Sequence, residues 1–351
     1  MMTAHETYLG TRVFGCLDGL RALSIVAVVW HHACPPNSWP ATGRGFLGVD
    51  LFFVISGFLI VTLLLRERDR RGRISLSAFY MRRSLRIVPL NYFVILAVWA
   101  GTSISGGSQA EAVRRDVPYA LTYLANWFPM HSLLAITWSL AAEEQFYVVW
   151  PLVERCSQSV VRWAWWGLVG TSIVLSCGHA HVGVFVGVPR MLAETTFVPI
   201  LFGVGLAHAL HSPVWFRRIT LLAGGRHSAP VLLFLLLAAV SIPLDDISGL
   251  PRLALHGLLT LLVAACVVRE DNGLRAVLRN WVFVRIGVVS YGIYLLHQVG
   301  LHVVEVATKH FAWWGSGMDF VSCLIVTWGM AEVSYQTFER YFLRWKGQWR
   351  R

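Results

Sequence analysis

The sequence predicts an all-α, polytopic integral membrane helix bundle of about ten transmembrane helices with both termini cytoplasmic, and three observations predict it. Hydrophobic residues make up 56% of the 351 and charged residues only 14%, where soluble domains carry about 25% charged residues. Apolar runs recur from about residue 20 to about residue 338, so the hydrophobicity is spread over many segments and is not one anchor. Arginines gather between these runs, as the positive-inside rule expects of cytoplasmic loops.

Eleven segments are apolar enough for spans of roughly 20 residues: 19–36, 46–65, 87–104, 117–133, 137–154, 162–178, 190–210, 229–245, 252–268, 283–304 and 317–338. Orientation follows from the stretch between Arg66 and Arg86, which also holds Arg68, Arg70, Arg71, Arg73, Arg82 and Arg83 and is the strongest short basic loop in the chain. Placing that loop in the cytoplasm puts the N-terminus inside, because two spans precede it. Arg340, Arg344, Lys346, Arg350 and Arg351 put the C-terminus inside as well. Two cytoplasmic ends require an even number of crossings, so one candidate should not be a full span. The weakest are the neighbours 117–133 and 137–154, the first of them interrupted by Pro118, Asn126 and Pro129. No repeat or low-complexity linker divides the chain, which predicts one membrane domain over residues 1–351 with no appended soluble domain.

The net charge of +11 comes almost entirely from arginine, since Lys309 and Lys346 are the only lysines. Membrane topology accounts for that excess, and no nucleic-acid partner is needed. The six cysteines lack CxxC spacing, which indicates neither a zinc site nor a disulfide framework. The polar N-terminal stretch and the WHHACPP that ends the first apolar run do not resemble a cleaved signal peptide, so that run is expected to remain as a helix.

Ionisable side chains inside membrane helices are costly and usually face a cavity or a partner, so they mark where chemistry can occur. The first span supplies Asp18, Arg21 and His32. Eleven residues at about 100° each bring His32 back to within roughly 20° of the face of Arg21, some 16 Å farther along the axis, whereas His31 points about 100° away. A neutral imidazole can remove a proton from a hydroxyl near neutral pH. In GVDLFFVISGF, Asp50 enters an apolar helix and needs a cationic partner, for which Arg21 is a candidate, while Gly48 and Gly57 allow close helix approach. Arg83 and Arg86, three apart in FYMRRSLRIVPL, can grip phosphate, although cytoplasmic arginines beside a span are also plain topology signals. In TWSLAAEEQFYVVWP, Ser139, Glu143 and Tyr147 share a face as a polar stripe, and Glu144 falls on another. On the span that contains RIGVVSYGIYLLHQ, Tyr294 and His297 are three apart and can join in one cavity lining.

Read together, LDGLRALSIVAVVWHHA, GVDLFFVISGFLI, FYMRRSLRIVPL, TWSLAAEEQFYVVWP and SYGIYLLHQ resemble, in order and character, the acyltransferase-3 family, membrane O-acyltransferases of bacterial surface glycans and of some macrolides. The resemblance covers residues 14 to about 300. The family's arginine and, after ten intervening residues, its essential histidine fall on Arg21 and His32; its RxxR falls on Arg83 and Arg86; the glutamate of its WSLxxE falls on Glu143. The chain departs in its paired His31 and His32, and in Ala142 where valine is common.

The resemblance implies transfer of an acyl group from cytoplasmic acyl-CoA, with acetyl-CoA the expected donor, to an acceptor hydroxyl, in the bacterial cytoplasmic membrane. His32 is expected to act as general base, Arg21 to position the donor or stabilise developing negative charge, Glu143 to orient the imidazole, and Arg83 and Arg86 to bind the donor's phosphates. Asp18, Asp50, Ser139, Tyr147, Tyr294 and His297 are expected to support them, without a permanently bound cofactor or a metal. A glycan such as O-antigen, exopolysaccharide or a lipid-linked sugar is the expected acceptor, and a macrolide or other small metabolite is the alternative. A proton-coupled transporter is the rival from another class, since membrane-embedded acids and bases also build proton paths. Transport predicts symmetry between the halves, and the sequence has none.

Overall fold

The computed structural model describes residues 3–34, 40–181, 198–244, 247, 249–310 and 315–346, with residues 175–181, 316 and 346 described by their backbone alone. The first part of the expected 190–210 span, the prolines Pro35 and Pro36, and the side chains of Cys177, His179 and His181 lie outside this description. Among the described residues the regular structure is helical throughout. In chain order the helices are α1 (Ala4–Gly10), α2 (Gly15–Ala33), α3 (Leu47–Arg71), α4 (Leu76–Ser105), α5 (Gly107–Leu121), α6 (Thr137–Glu154), α7 (Gln158–His181), α8 (Val198–His211), α9 (Pro213–Ala223), α10 (Ser228–Ser241), α11 (Leu250–Val268), α12 (Arg275–Leu278), α13 (Trp281–Val288), α14 (Ser290–Thr308) and α15 (Ser316–Ser334). A π-helical turn, Tyr335–Glu339, leads into α16 (Arg340–Lys346).

By length and apolarity alone α3, α4 and α11 can each cross a membrane. The bent pairs α1–α2, α8–α9 and α13–α14 pass the same test as pairs, which makes up to six among the described residues. Helix α6 carries three glutamates, Glu143, Glu144 and Glu154, and α10 has only 14 residues. Large apolar side chains such as Phe93, Trp99, Val148, Trp163 and Phe234 point outward. An outer surface of this kind suits hydrocarbon and not water.

Helix α2 occupies the middle of the bundle, in contact with α3, α11, α12, α13, α14 and α15, and the most extensive helix pair is α3 with α8. Small residues permit both arrangements. A side chain on Gly57 would strike the backbone carbonyl of Ile200, and one on Gly203 that of Val54, so each helix of the α3–α8 pair presents a glycine to the other's backbone. Gly48 is likewise backed by the Ser24 carbonyl of α2. Close approach at Gly48 and Gly57, expected from the sequence, is thus observed.

Three expectations about individual segments change. The basic stretch 66–86 is not a loop, because α3 runs on to Arg71 and α4 starts at Leu76, leaving a short turn in which Gly72 takes a φ of +68°. Arg66 is accordingly buried, donating to the carbonyls of Tyr8 (2.8 Å) and Thr11 and lying over the rings of Tyr8 and Phe14. Segment 117–133 is not one helix, since α5 stops at Leu121 and the chain turns irregularly through Tyr123, whose φ is +55°. Segment 283–304 is broken at Val289, where α13 and α14 meet at 77°. Gly287, at the end of α13, lies against the Asp18 carbonyl of α2, an approach that a side chain would prevent. The break separates Arg285, which pairs with Glu332 of α15 (2.5 and 2.8 Å), from the Tyr291, Tyr294 and His297 series on α14.

Candidate active site

A cavity of about 100 Å³, partly open to the outside, lies among α2, α3, α4, α6 and α14. Its wall takes Arg21 from α2, Ser56 from α3, Arg83 and Arg86 from α4, Ser139, Glu143 and Tyr147 from α6, and Tyr291 and Tyr294 from α14. Seven residues singled out in the sequence therefore share one space: Arg21, Arg83, Arg86, Ser139, Glu143, Tyr147 and Tyr294. On α6 the polar stripe at positions 139, 143 and 147 turns inward as its spacing requires.

Glu143 accepts hydrogen bonds from the hydroxyls of Ser56 and Tyr147, and Tyr147 also lies 3.2 Å from the Ser56 oxygen. The Tyr294 hydroxyl donates to the Ile136 carbonyl at 2.8 Å, so it accepts from Ser139, 2.6 Å away. These bonds fix the carboxylate and the two phenols before any ligand enters.

The cationic side is less settled. Arg21 is paired with Asp18 at 2.8 Å. Arg83 lies over the Tyr147 ring, 5.3 Å from its centroid, and within electrostatic reach of Glu143 and Glu144. Arg86 stands close enough to repel both Arg21 and Arg83. Three guanidiniums converging on a partly apolar space attract an anion, and phosphate oxygens match their planar donor geometry.

His32 is not in the cavity wall. It sits at the end of α2, with its ring centroid 4.8 Å from that of His297, which is fully buried on α14. His297 in turn lies 5.6 Å from the Tyr294 ring that lines the cavity. An unbroken series of rings, Tyr294, His297 and His32, therefore joins the arginine-lined space to the far end of α2. Tyr294 takes the expected cavity position, whereas His297 stands behind it. The hydrogen bonds also assign the tautomers. His32 Nδ1 lies 2.9 Å from the Val28 carbonyl and His297 Nδ1 lies 2.5 Å from the Tyr294 carbonyl. A carbonyl only accepts, so each Nδ1 carries the proton and each neutral ring keeps a lone pair on Nε2. His297 Nε2 has the Gln298 amide 3.5 Å away as a long-range partner. His31 sits T-shaped against His32 and Phe46, on another face of α2.

Two expected contacts are not made. Glu143 does not orient His32, because its bonds go to Ser56 and Tyr147 while the imidazole is held by the Val28 carbonyl of its own helix. Asp50 does not pair with Arg21. It is buried against α11, where Arg252 grips it with two nitrogens (3.1 and 3.2 Å) and His256 Nε2 lies at 3.0 Å. Arg252 and His256 were not singled out in the sequence, although their i, i+4 spacing on an apolar helix was a visible signal of shared facing. Ser56, a lone hydroxyl in GVDLFFVISGF, was missed in the same way.

A family model described as an acyltransferase domain matches residues 14–332. Among curated proteins, a provisionally named O-acetyltransferase of Staphylococcus aureus is 30% identical over 320 residues, covering 83% of this chain and 51% of that protein. The provisionally named peptidoglycan O-acetyltransferase YrhL of Bacillus subtilis is 30% identical over 373 residues, covering 96% of this chain and 55% of its own. The peptidoglycan O-acetyltransferase OatA of Listeria monocytogenes is 37% identical over 147 residues, covering 38% of this chain and 23% of its own. The chain thus spans about half the length of the first two relatives. No solved structure matches.

Proposed function

Since the chain belongs to the acyltransferase family whose model matches residues 14–332, we propose that it is a membrane O-acyltransferase that moves an acyl group, acetyl in the first instance, from cytoplasmic acyl-CoA to a glycan hydroxyl. The observation that carries the reading is the convergence of Arg21, Arg83 and Arg86 on one cavity, whose ring-lined end leads through Tyr294 and His297 to the free Nε2 of His32. In this reading the phosphates of acyl-CoA engage Arg83 and Arg86, and the thioester extends along the rings toward His32. His32 Nε2 takes the proton of the acceptor hydroxyl as its oxygen attacks the thioester carbonyl. A C–O bond forms, the C–S bond breaks, and the proton passes to the departing CoA thiolate. Arg21 is near enough to the cavity to offset the negative charge that develops on the donor.

The names of the relatives make a peptidoglycan-type saccharide the first acceptor to try. About ten crossings with cytoplasmic termini in the bacterial inner membrane complete the proposal. They would put Arg83 and Arg86 at the compartment that holds acyl-CoA and His32 toward the other side. Purified protein in liposomes, given acetyl-labelled acetyl-CoA on one side and muropeptide or polysaccharide on the other with no ion gradient, should transfer label to the glycan as a base-labile ester. Absence of ester with every glycan tested, alongside gradient-driven uptake of a solute, would replace this reading with transport.

A further inference from the structure

Behind the cavity wall lies a second polar cluster that the chemistry above does not use. Asn91 on α4 has no exposed surface, and neither its carbonyl oxygen nor its amide nitrogen makes a well-formed hydrogen bond. The Tyr123 hydroxyl, whose side-chain contact is Asn91, and one carboxylate oxygen of Glu144 are buried in the same way. Tyr123 and Glu144 are neighbours of Tyr291 as well, and Tyr291 donates to the Ile87 carbonyl at 2.7 Å. Four buried polar atoms without a well-formed hydrogen bond in one place are unusual where nearly all buried polar groups are bonded, and in a membrane no solvent supplies better partners. The backbone is shaped to create the cluster. Tyr123 adopts a φ of +55°, which is costly for a tyrosine, and the Gln145 amide secures it by donating to the Tyr123 carbonyl at 2.9 Å while exchanging bonds with Asn126 (2.9 and 3.1 Å).

The position identifies the class of ligand. Arg83, Ile87 and Asn91 follow one another at four-residue intervals on one face of α4, so Asn91 lies about 12 Å beyond Arg83 along the helix. A thiol donor anchored by its phosphates at Arg83 would lay its pantetheine arm along this face, and that arm carries two secondary amides between phosphate and sulfur. Each such amide offers one N–H and one carbonyl, which is the complement of the carbonyl oxygen and amide nitrogen of Asn91. We propose that Asn91, Tyr123 and Glu144 form the subsite for the amides of the donor's pantetheine arm. The assignment rests on the acyl-CoA reading above, and it adds recognition of the arm to recognition of the phosphates.

The test separates the two. Binding of CoA and of adenosine 3′,5′-bisphosphate, which has the nucleotide phosphates without the arm, is measured by calorimetry on the full chain in detergent. Tyr123→Phe removes one buried hydroxyl, whose side-chain contact is Asn91. It should weaken CoA binding roughly three- to tenfold, leave the bisphosphate unchanged, and raise the thermal midpoint of the ligand-free protein. Asn91→Leu, close in volume, should do the same more strongly. Equal CoA affinity in wild type and both variants means that the cluster holds only water, and it overturns the subsite. Equal loss of both ligands means a structural role, and it overturns the subsite too. Failure of the wild type to bind CoA at all overturns the acyl-CoA reading itself. Because Tyr123→Phe deletes a single oxygen atom, the comparison stands even if Asn91→Leu does not fold.

Discussion

His32 and His297 meet ring to ring, 4.8 Å between centroids, each with its Nδ1 proton given to a backbone carbonyl of its own helix. Each imidazole is thereby held in one tautomer by atoms that side-chain substitution elsewhere does not remove. The His297 ring is the contact that packs His32 against α14, while His31 meets it from its own helix. Replacing His297 with alanine should lower kcat about 10- to 100-fold through misplacement of the base, with little change in KM for acyl-CoA. His297→Phe, which keeps a ring in contact, should recover part of the loss. Initial rates with labelled acetyl-CoA at saturating acceptor check this, and equal kcat in wild type and His297→Ala would show that the contact is only packing.

Arg83 and Arg86 line the cavity, from which the Tyr294 ring separates His297 and His32. Hydrogen bonds between a guanidinium and an anion contribute about 1.5–3 kcal/mol each, so Arg83→Ala should raise KM for acyl-CoA by roughly tenfold or more and change kcat far less. Arg83→Lys should recover only part of the affinity, because an ammonium lacks the planar pair of donors. The ratio of KM to kcat effects is the measurement, and a pure kcat defect would move Arg83 from donor binding to chemistry.

The Asp50 cluster predicts a stability effect. Asp50 is 1% exposed and His256 2%, with Arg252 clasping the carboxylate. Removing the anion alone leaves the His256 imidazole buried and the partly exposed Arg252 guanidinium unpaired, at a cost below the roughly 3–5 kcal/mol of breaking a fully buried pair. Asp50→Ala should therefore lower the unfolding midpoint in detergent by several degrees. Asp50→Leu combined with Arg252→Leu and His256→Leu should restore much of it, since a buried ion cluster replaced by apolar volume is often neutral. If the single and triple variants melt alike, the cluster is not a structural clasp.

What could be read from the sequence was what depends on short spacing. The Ser139, Glu143 and Tyr147 stripe follows from helix geometry within one element, and Gly48 and Gly57 mark where a neighbouring helix can approach closely. Contacts between elements distant in the chain could not be read that way. The partners of Asp50 lie on α11, and the Ser56 hydroxyl that joins Tyr147 on Glu143 comes from α3, and nothing in local spacing chooses Arg252 over Arg21. The break at Val289 was hidden because the apolar run continues through it, while the approach of Gly287 to Asp18 that accompanies it is a tertiary feature. The basic stretch 66–86 reads as a loop because its charge dominates its helix-forming residues, several of which turn inward, as Arg66 does.

The claim that most depends on this arrangement is that His32 Nε2 is the base. Membranes containing wild type, His31→Ala and His32→Ala at matched expression, supplied with labelled acetyl-CoA and a glycan acceptor, give the most direct measurement. The account predicts a loss of about 100-fold or more in ester formation for His32→Ala, a small effect for His31→Ala, and unchanged CoA binding in both. Retained transfer by His32→Ala would contradict it.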